Sequence, residues 1–149
     1  MEKSTGNSAE LQIVAFHLGL TEYALPIDNV QEIIRLQTIT RVPRAPLWVE
    51  GVINLRGTVV TVGNLHKRFS LPLIQVTEDS RIIIVKLAET NAGILVDDAS
   101  DVIRISQGAV ESSPDITGNI DKEYITGVVK IDNRILILLE PQKLLATGG

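Results

Sequence analysis

The chain of 149 residues repeats itself once, and that repeat sets the strongest limit on its fold. Displaced by 69 residues, IVAFHLGLTEYALPIDNVQEIIRL (13–36) falls without a gap on the stretch that runs through IIVKLAETNAGILVDDASDVIRI (82–105). Ile13 meets Ile82, Leu18 meets Leu87, Thr21 meets Thr90 and Asp28 meets Asp97. Ile34-Arg35 meets Ile103-Arg104, and most other strand positions pair apolar with apolar. At a slightly larger offset Gly51-Val52 meets Gly127-Val128. Two units make a duplicated module rather than a solenoid.

Each unit reads as about five short strands, a helical turn and a hairpin. Gly51 to Leu65 is the clearest hairpin, with Val52, Ile53 and Leu55 before Arg56-Gly57 and Val59, Val60 and Val62 after it. β-branched runs around a glycine-containing turn carry that signal. Gly57 accepts φ > 0 without a Cβ clash, which leaves Arg56 at the tip in water. Tyr124 to Glu140 is the second hairpin, turning at Asp132-Asn133. Short, closely spaced strands with few helices predict small barrels. A unit of this size is marginal alone, so two should pack as one body, with exchange of strands one way to share apolar surface.

In chain order, residues 1–10 predict a disordered tail. Leu11–Leu18 and Tyr23–Ile27 are strands, with Pro26 hinting at an edge or bulge. Asp28 is a candidate N-cap for a helical turn whose apolar side is Val30, Ile33 and Ile34. Residues 35–42 read as extended, Pro43 and Pro46 force a loop, and Leu47-Trp48-Val49 reads as one helical turn. Asn64 caps a short helix, Leu65–Phe69, and residues 71–80 form a linker. Arg81–Leu87 and Ala92–Val96 are strands, and Asp97 repeats the cap of Asp28. Residues 107–123 predict a long loop, and Pro141 opens a final helix to Ala146. The division expected is a first barrel over about 11–70, a second over about 80–141 and a C-terminal helix over 141–146.

Much chemistry is excluded. A net charge of −4 argues against phosphate-contact binding of nucleic acid. Two Phe, two Tyr and one Trp are too few for a base-stacking platform. Without cysteine there is no disulfide, thiolate or thiolate-metal chemistry. His17 and His66 are distant in sequence and read as structural. Asp97, Asp98 and Asp101 resemble a carboxylate cluster, but neighbouring side chains point apart. No phosphate loop or nucleophile elbow is present. The polar N-terminus is no signal peptide, and no run is long enough to span a bilayer. An enzyme is not expected, nor any cofactor or metal, and a cytoplasmic protein is the default.

With hairpin and duplication in view, the chain resembles the bacterial chemotaxis CheW-like family over roughly residues 10–146. VPRAPLWVEGVINLRGTVV (42–60) carries the likeness furthest, with YALPIDNVQEI (23–33), GILVDDASDVIRI (93–105) and YITGVVKIDNRILILLEPQKLL (124–145). One stretch departs. The family usually shows Pro-Val-hydrophobic-Asp-Leu where this chain has Thr61-Val62-Gly63-Asn64-Leu65, which should have only a local effect on strand geometry.

The resemblance implies a mainly β fold of two tandem five-stranded SH3-like barrels. It implies an adaptor without catalysis. Such a protein joins the cytoplasmic tips of methyl-accepting chemoreceptors to the regulatory domain of the histidine kinase CheA, in arrays, without inserting into the membrane. Carried over by motif, receptor contacts fall on Val30, Gln31, Glu32 and Ile33, on Gly51, and on Arg56. Val30 and Ile33 would supply an apolar strip, and Glu32 and Arg56 the charges. Both apolar residues also fit a core. Kinase contacts at barrel ends would draw on apolar residues such as Ile125 and Val128, which equally suit core packing. Two alternatives remain. One is a CheW-like regulatory module of another two-component complex, against which the end of the chain soon after 146 counts. The other is a small ligand- or oligonucleotide-binding barrel.

Overall fold

A computed structural model describes residues 10–72, 76–112 and 122–145. Strand β1 (Glu10–Leu18) turns at Gly19-Leu20 into β2 (Thr21–Pro26). A single 3-10 turn, Ile27–Asn29, leads to β3 (Val30–Arg35). An irregular stretch reaches β4 (Val49–Leu55), then β5 (Thr58–Asn64) and α1 (Leu65–Arg68). The second repeat supplies β6 (Arg81–Lys86), β7 (Asn91–Val96) and β8 (Asp98–Ser106). A 3-10 turn, Gln107–Ala109, and β9 (Val110–Glu111) follow. After a 3-10 turn at Lys122–Tyr124 come β10 (Ile125–Ile131), β11 (Arg134–Leu139) and α2 (Pro141–Leu144).

The opening hairpin of each repeat lies in the other repeat's sheet. One sheet runs β9-β10-β11-β2-β1-β8 and the other β3-β6-β7-β5-β4. The hairpin β1–β2 is inserted between β11 and β8, and β6–β7 between β3 and β5. The insertion creates the two parallel junctions, β11 with β2 (Ile137 opposite Tyr23) and β5 with β7 (Val62 opposite Gly93). A cut near residues 70–80 separates the repeats along the chain, while each sheet mixes strands from both.

This exchange explains the unbroken apolar runs RIIIVK and RILILL. Successive strand residues face opposite ways, so such strands need a core on both sides. In β6, Ile82 and Ile84 join Ile53, Leu55, Val60, Val62 and Leu95 inside one sheet. Ile83 and Val85 face the other way, into a central core. In β11, Leu136 and Leu138 join Ile13, Ala15, Ala24 and Val129 inside the other sheet, while Ile137 and Leu139 face the centre. The central core gathers Phe16, Tyr23, Trp48 and Phe69 with Leu65, Leu144 and Leu145, and Tyr124 packs against it. Ring centroids follow one another at 5.9 Å (Phe16–Tyr23), 5.7 Å (Tyr23–Phe69) and 6.3 Å (Phe69–Tyr124). The Arg68 guanidinium lies 4.3 Å from the Trp48 ring centroid and 5.0 Å from that of Tyr124. All aromatic residues of the chain therefore serve the seam between the sheets.

The hairpins, the Asn64 cap and Pro141 at the first position of α2 match the sequence reading. Asn64 Oδ1 accepts the Lys67 N–H at 3.3 Å. Other local readings change. Residues 30–35 form a strand, because pairing with β6 (Ile33 opposite Ile83) outweighs a weak helical pattern. Asp28 sits inside the 3-10 turn, with Pro26 in the cap position. Asp97 caps no helix and lies at the bend between β7 and β8. Leu47-Trp48 form a turn, closed by the Val49 N–H donating to the Pro46 carbonyl at 3.0 Å. Glu10 already belongs to β1, and the rest of the expected tail (1–9), much of the expected loop (113–121) and Ala146 lie outside the described residues.

The stretch that departs from the family pattern has a local role. A Cβ on Gly63 would come within 2.4 Å of the Trp48 ring, so glycine is what seats the indole. Gly63→Ala should lower stability by about 1–3 kcal/mol in urea unfolding, the usual cost of overpacking. Tyr23 offers a second test, since burial pushes its hydroxyl up to about 12. An unfolded chain releases a tyrosine proton near pH 10. Between about pH 10 and 12 the unfolded state therefore binds fewer protons, and stability should fall as pH rises. The fall should be smaller in Tyr23→Phe, measured by urea midpoints across that range.

Candidate protein-interaction site

The site is built on the turn of the β4–β5 hairpin. Arg56 has φ of 51° and Gly57 of 88°. Two positive φ values give the turn type whose twist matches paired strands. Glycine meets this freely, and arginine is an uncommon occupant. Asn54 Oδ1 accepts the Gly57 N–H at 2.8 Å and fixes the turn.

The Arg56 side chain is 66% exposed and reaches back to Glu32 of β3. Nη1 lies 3.3 Å from Glu32 Oε1, and Nη2 donates to Oε2. This two-pronged contact holds the guanidinium above its ordinary range, first through the hydrogen bond and then through charge. Strands β3 and β4 are opposite edges of their sheet, so the pair bridges the rim where the sheet curls round. The chain after β3 completes that closure. Thr40 and Val52 exchange backbone hydrogen bonds of 2.8 Å each, and Leu36 and Ile39 pack on the core beneath.

Gly51 belongs to the same closure. Its φ is 149°, and a Cβ there would stand 2.1 Å from the Thr40 carbonyl oxygen. It is buried, so it positions its neighbours and offers no contact surface of its own.

Along β3 exposure alternates. Val30, Glu32 and Ile34 are half-buried, while Gln31, Ile33 and Arg35 are exposed. Val30 packs against the central core, and Ile33 is 41% exposed. A register shift between Val30 and Glu32 interrupts the alternation of faces, so Val30 and Ile33 stand opposite Val85 and Ile83 on one face, with Val30 covered by the core and Ile33 open to solvent. Residues three apart share a face on a helix, and on a strand only where such a bulge intervenes. The exposed row of the strand is Ile33 flanked by Gln31 and Arg35. Gln31 is tied to the next hairpin, its Oε1 accepting from Asn91 Nδ2 at 2.7 Å. A shallow cleft lined by Val59, Leu87 and Asn91 continues the surface, and Val59 is 70% exposed.

The residues suggested for a second contact fare differently. Val128 is fully buried, paired with Ile137 across β10–β11, and presents nothing to a partner. Ile125 is half-buried against the central core. Both lie on a strand walled in by the core, which their apolar character alone does not reveal.

A related ion pair escaped the sequence reading. Arg134 at the start of β11 donates to Glu22 at 3.1 and 2.5 Å and reaches Asp101 at 3.4 Å. The Arg134 hydrogen bond holds the Glu22 carboxyl below its ordinary range, against the opposing effect of burial. In the repeat alignment Asp101 stands where Glu32 stands, which is the signal that would have found it. Among the described residues, no group of three or more His, Asp or Glu side chains is arranged to hold a metal ion. Among them also, no helix is long and apolar enough to cross a membrane.

The CheW-like domain model matches residues 12–148. The chain is 35% identical over 145 residues to the chemotaxis protein CheW of Treponema pallidum (strain Nichols), covering 95% of this chain and 85% of that one. It is 35% identical over 134 residues to the chemotaxis protein CheW of Bacillus subtilis (strain 168), covering 90% and 86%. The crystal structure of the scaffolding protein TtCheW from Thermoanaerobacter tengcongensis superposes with a TM-score of 0.87 at 34% identity, covering 100% of this chain and 96% of that one. That match agrees with the expected fold of two SH3-like β units. The chain belongs to the CheW-like domain family and has that family's scaffold role in chemotaxis.

Proposed function

We propose that this chain is a non-catalytic adaptor that joins the cytoplasmic tips of methyl-accepting chemoreceptors to the regulatory domain of the histidine kinase CheA, at the cytoplasmic side of receptor arrays. The observation that carries the reading is the Glu32–Arg56 pair set beside exposed Ile33 on an edge strand. A helical partner lying on such a surface gains apolar contact from Ile33 and its register from the charges. Gln31 adds a polar contact on the same row. Val30 and Gly51 act from beneath, Val30 by seating β3 on the core and Gly51 by admitting the segment that closes the sheet. For the kinase, half-buried Ile125 stays a candidate through its exposed fraction.

The energies support placing Arg56 in recognition. Exposed ion pairs contribute little to stability, whereas each buried Ile or Leu of the cores contributes about 1.5–3 kcal/mol. An arginine held in an uncommon backbone conformation at a rim therefore serves mainly to present its charge.

A pull-down with a receptor signalling fragment and a CheA regulatory domain tests this. The native chain should retain both, and Arg56→Glu, which sets two carboxylates side by side, should lose the receptor and keep the kinase. Circular dichroism should show the variant folded. The doubly substituted Glu32→Arg, Arg56→Glu chain restores the pair with reversed polarity and should remain receptor-deficient. A native chain that binds neither partner overturns the adaptor reading. Full receptor binding by Arg56→Glu overturns the assignment of the site.

A further inference from the structure

Gln31 is the extra residue of a bulge in β3. On its two sides Val30 stands opposite Val85 and Glu32 opposite Ile84, so two steps along β3 match one step along β6. A bulge leaves its extra residue without a ladder partner and re-aims the side chains beyond it. Val85 faces the central core, and Ile84 faces the interior of its own sheet. Glu32 is thereby carried off the face of Val30 and onto the interior side. In an unbroken strand residues two apart share a face, and the Glu32 carboxylate would lie on the side of the central core. The bulge brings it instead to the rim, where Arg56 Nη1 lies 3.3 Å from Oε1.

The second repeat clamps this bulge. Gln31 Oε1 accepts from Asn91 Nδ2 at 2.7 Å. Asn91 opens β7 and pairs with Lys86 across the β6–β7 hairpin, the hairpin that is exchanged into this sheet. Just before the bulge, Asn29 Nδ2 donates to the Lys86 carbonyl at 3.4 Å. The hairpin turn is itself closed by the Leu87 N–H, which donates to the Thr90 carbonyl at 2.8 Å. A tight turn therefore holds the bulged residue through its side chain.

The other repeat has the same arrangement with different chemistry. Ser100, 69 residues on from Gln31, is again the extra residue, between Ala99 opposite Phe16 and Asp101 opposite Ala15. Asp101 corresponds to Glu32, and Glu22 corresponds to Asn91. Glu22 holds Arg134 at 3.1 Å, and Arg134 reaches Asp101 at 3.4 Å. In both repeats a polar residue of the exchanged hairpin supports the acid that follows a bulge.

We propose that Asn91 is a positioning residue of the recognition surface: it clamps Gln31, the clamped bulge aims Glu32, and Glu32 holds Arg56 in place. What the surface binds rests on the receptor reading given above, while the clamp rests on the fold alone. The site is then a joint product of both repeats, with the acid and the arginine from the first and the clamp from the second. Without the clamp the bulge relaxes, Glu32 leaves the rim, and the Arg56 guanidinium swings freely in water.

Two measurements on the full chain test this. Asn91→Leu keeps the bulk of the side chain and removes its hydrogen bond. Asn91→Asp keeps a bond, because the Gln31 amide turns over and donates from Nε2. In proton–nitrogen spectra of the arginine side chains, the two-pronged contact should keep the Arg56 Nη protons distinct in the native chain. Asn91→Leu should merge them into one averaged signal, and Asn91→Asp should separate them again. An unchanged Arg56 pattern in Asn91→Leu overturns the clamp. Titration with the receptor signalling fragment and with the CheA regulatory domain gives the second readout. Asn91→Leu should weaken receptor binding about fivefold, the usual worth of one hydrogen bond, and bind the kinase domain as the native chain does. Equal losses toward both partners mark a general loosening of the fold and overturn the positioning role, and so does full receptor binding by a chain whose Arg56 is freed. A native chain that binds no receptor overturns the adaptor reading instead, and the Arg56 spectra then decide the clamp alone.

Discussion

The structure depends on strands that are apolar on both faces. An ordinary strand at a protein surface needs one apolar side, and its sequence alternates. Strands β6 and β11 each turn one row of residues into a sheet interior and the other into the seam between sheets. Such a strand has no stable place in a lone sheet with one wet face. Each repeat of roughly 70 residues therefore has no complete core of its own, and the exchange of opening hairpins supplies what is missing. The aromatic chain from Phe16 to Tyr124 runs along this seam, and α1 and α2 add Leu65 and Leu144 to it.

Exchange also decides where the rims lie. Inserting a foreign hairpin in the middle of each sheet pushes β3 and β4 to opposite edges of one sheet, and β9 and β8 to opposite edges of the other. Curling then brings the edges back together, where charged side chains meet at low desolvation cost. Glu32 with Arg56 and Asp101 with Arg134 place corresponding acids beside an arginine, although Arg134 lies on the interior strand β11 and pairs more closely with Glu22 on β2. Each sets an acid from the repeat's third strand against an arginine from or beside the repeat's late hairpin turn. A rim that must be closed by exposed charge is also a rim that a charged partner can read. This links the architecture to the recognition surface proposed at Ile33 and Arg56.

Much of this was legible in the residues. The duplication, both hairpins, the Asn64 cap and the Pro141 start are local signals with local causes, and each sits where the sequence places it. Arg56 was legible as a turn residue because Gly57 follows it. The failures share a physical origin, since local pattern is silent about partners distant in sequence. Residues 30–35 carry a faint helical spacing, but β6 offers backbone hydrogen bonds and an apolar wall, and the strand wins. That change sets Val30 opposite Val85 and, past a register shift, Ile33 opposite Ile83, which leaves Val30 on the core and Ile33 exposed. The exchange itself leaves only an indirect trace, in runs such as RIIIVK that are too apolar for a half-exposed strand. Val128 was indistinguishable from a surface contact for the same reason: its burial is set by β11 and the core behind it.

The repeats are most informative where they differ. Strand positions that pair apolar with apolar across the duplication serve the shared core, so packing alone accounts for their likeness. The turn residue Arg56 falls opposite Asp132, which also has a positive φ of 52°. The backbone demand is thus common to both turns, while the charge is opposite. Trp48 on Gly63 and His66 on Asp97 occur in the first repeat and its neighbours, and Gln142 stands exposed where His66 is buried. A fold requirement explains what the halves share. Divergence at a turn that needs only a permissive backbone has no such explanation, and the proposed recognition role of Arg56 would supply one.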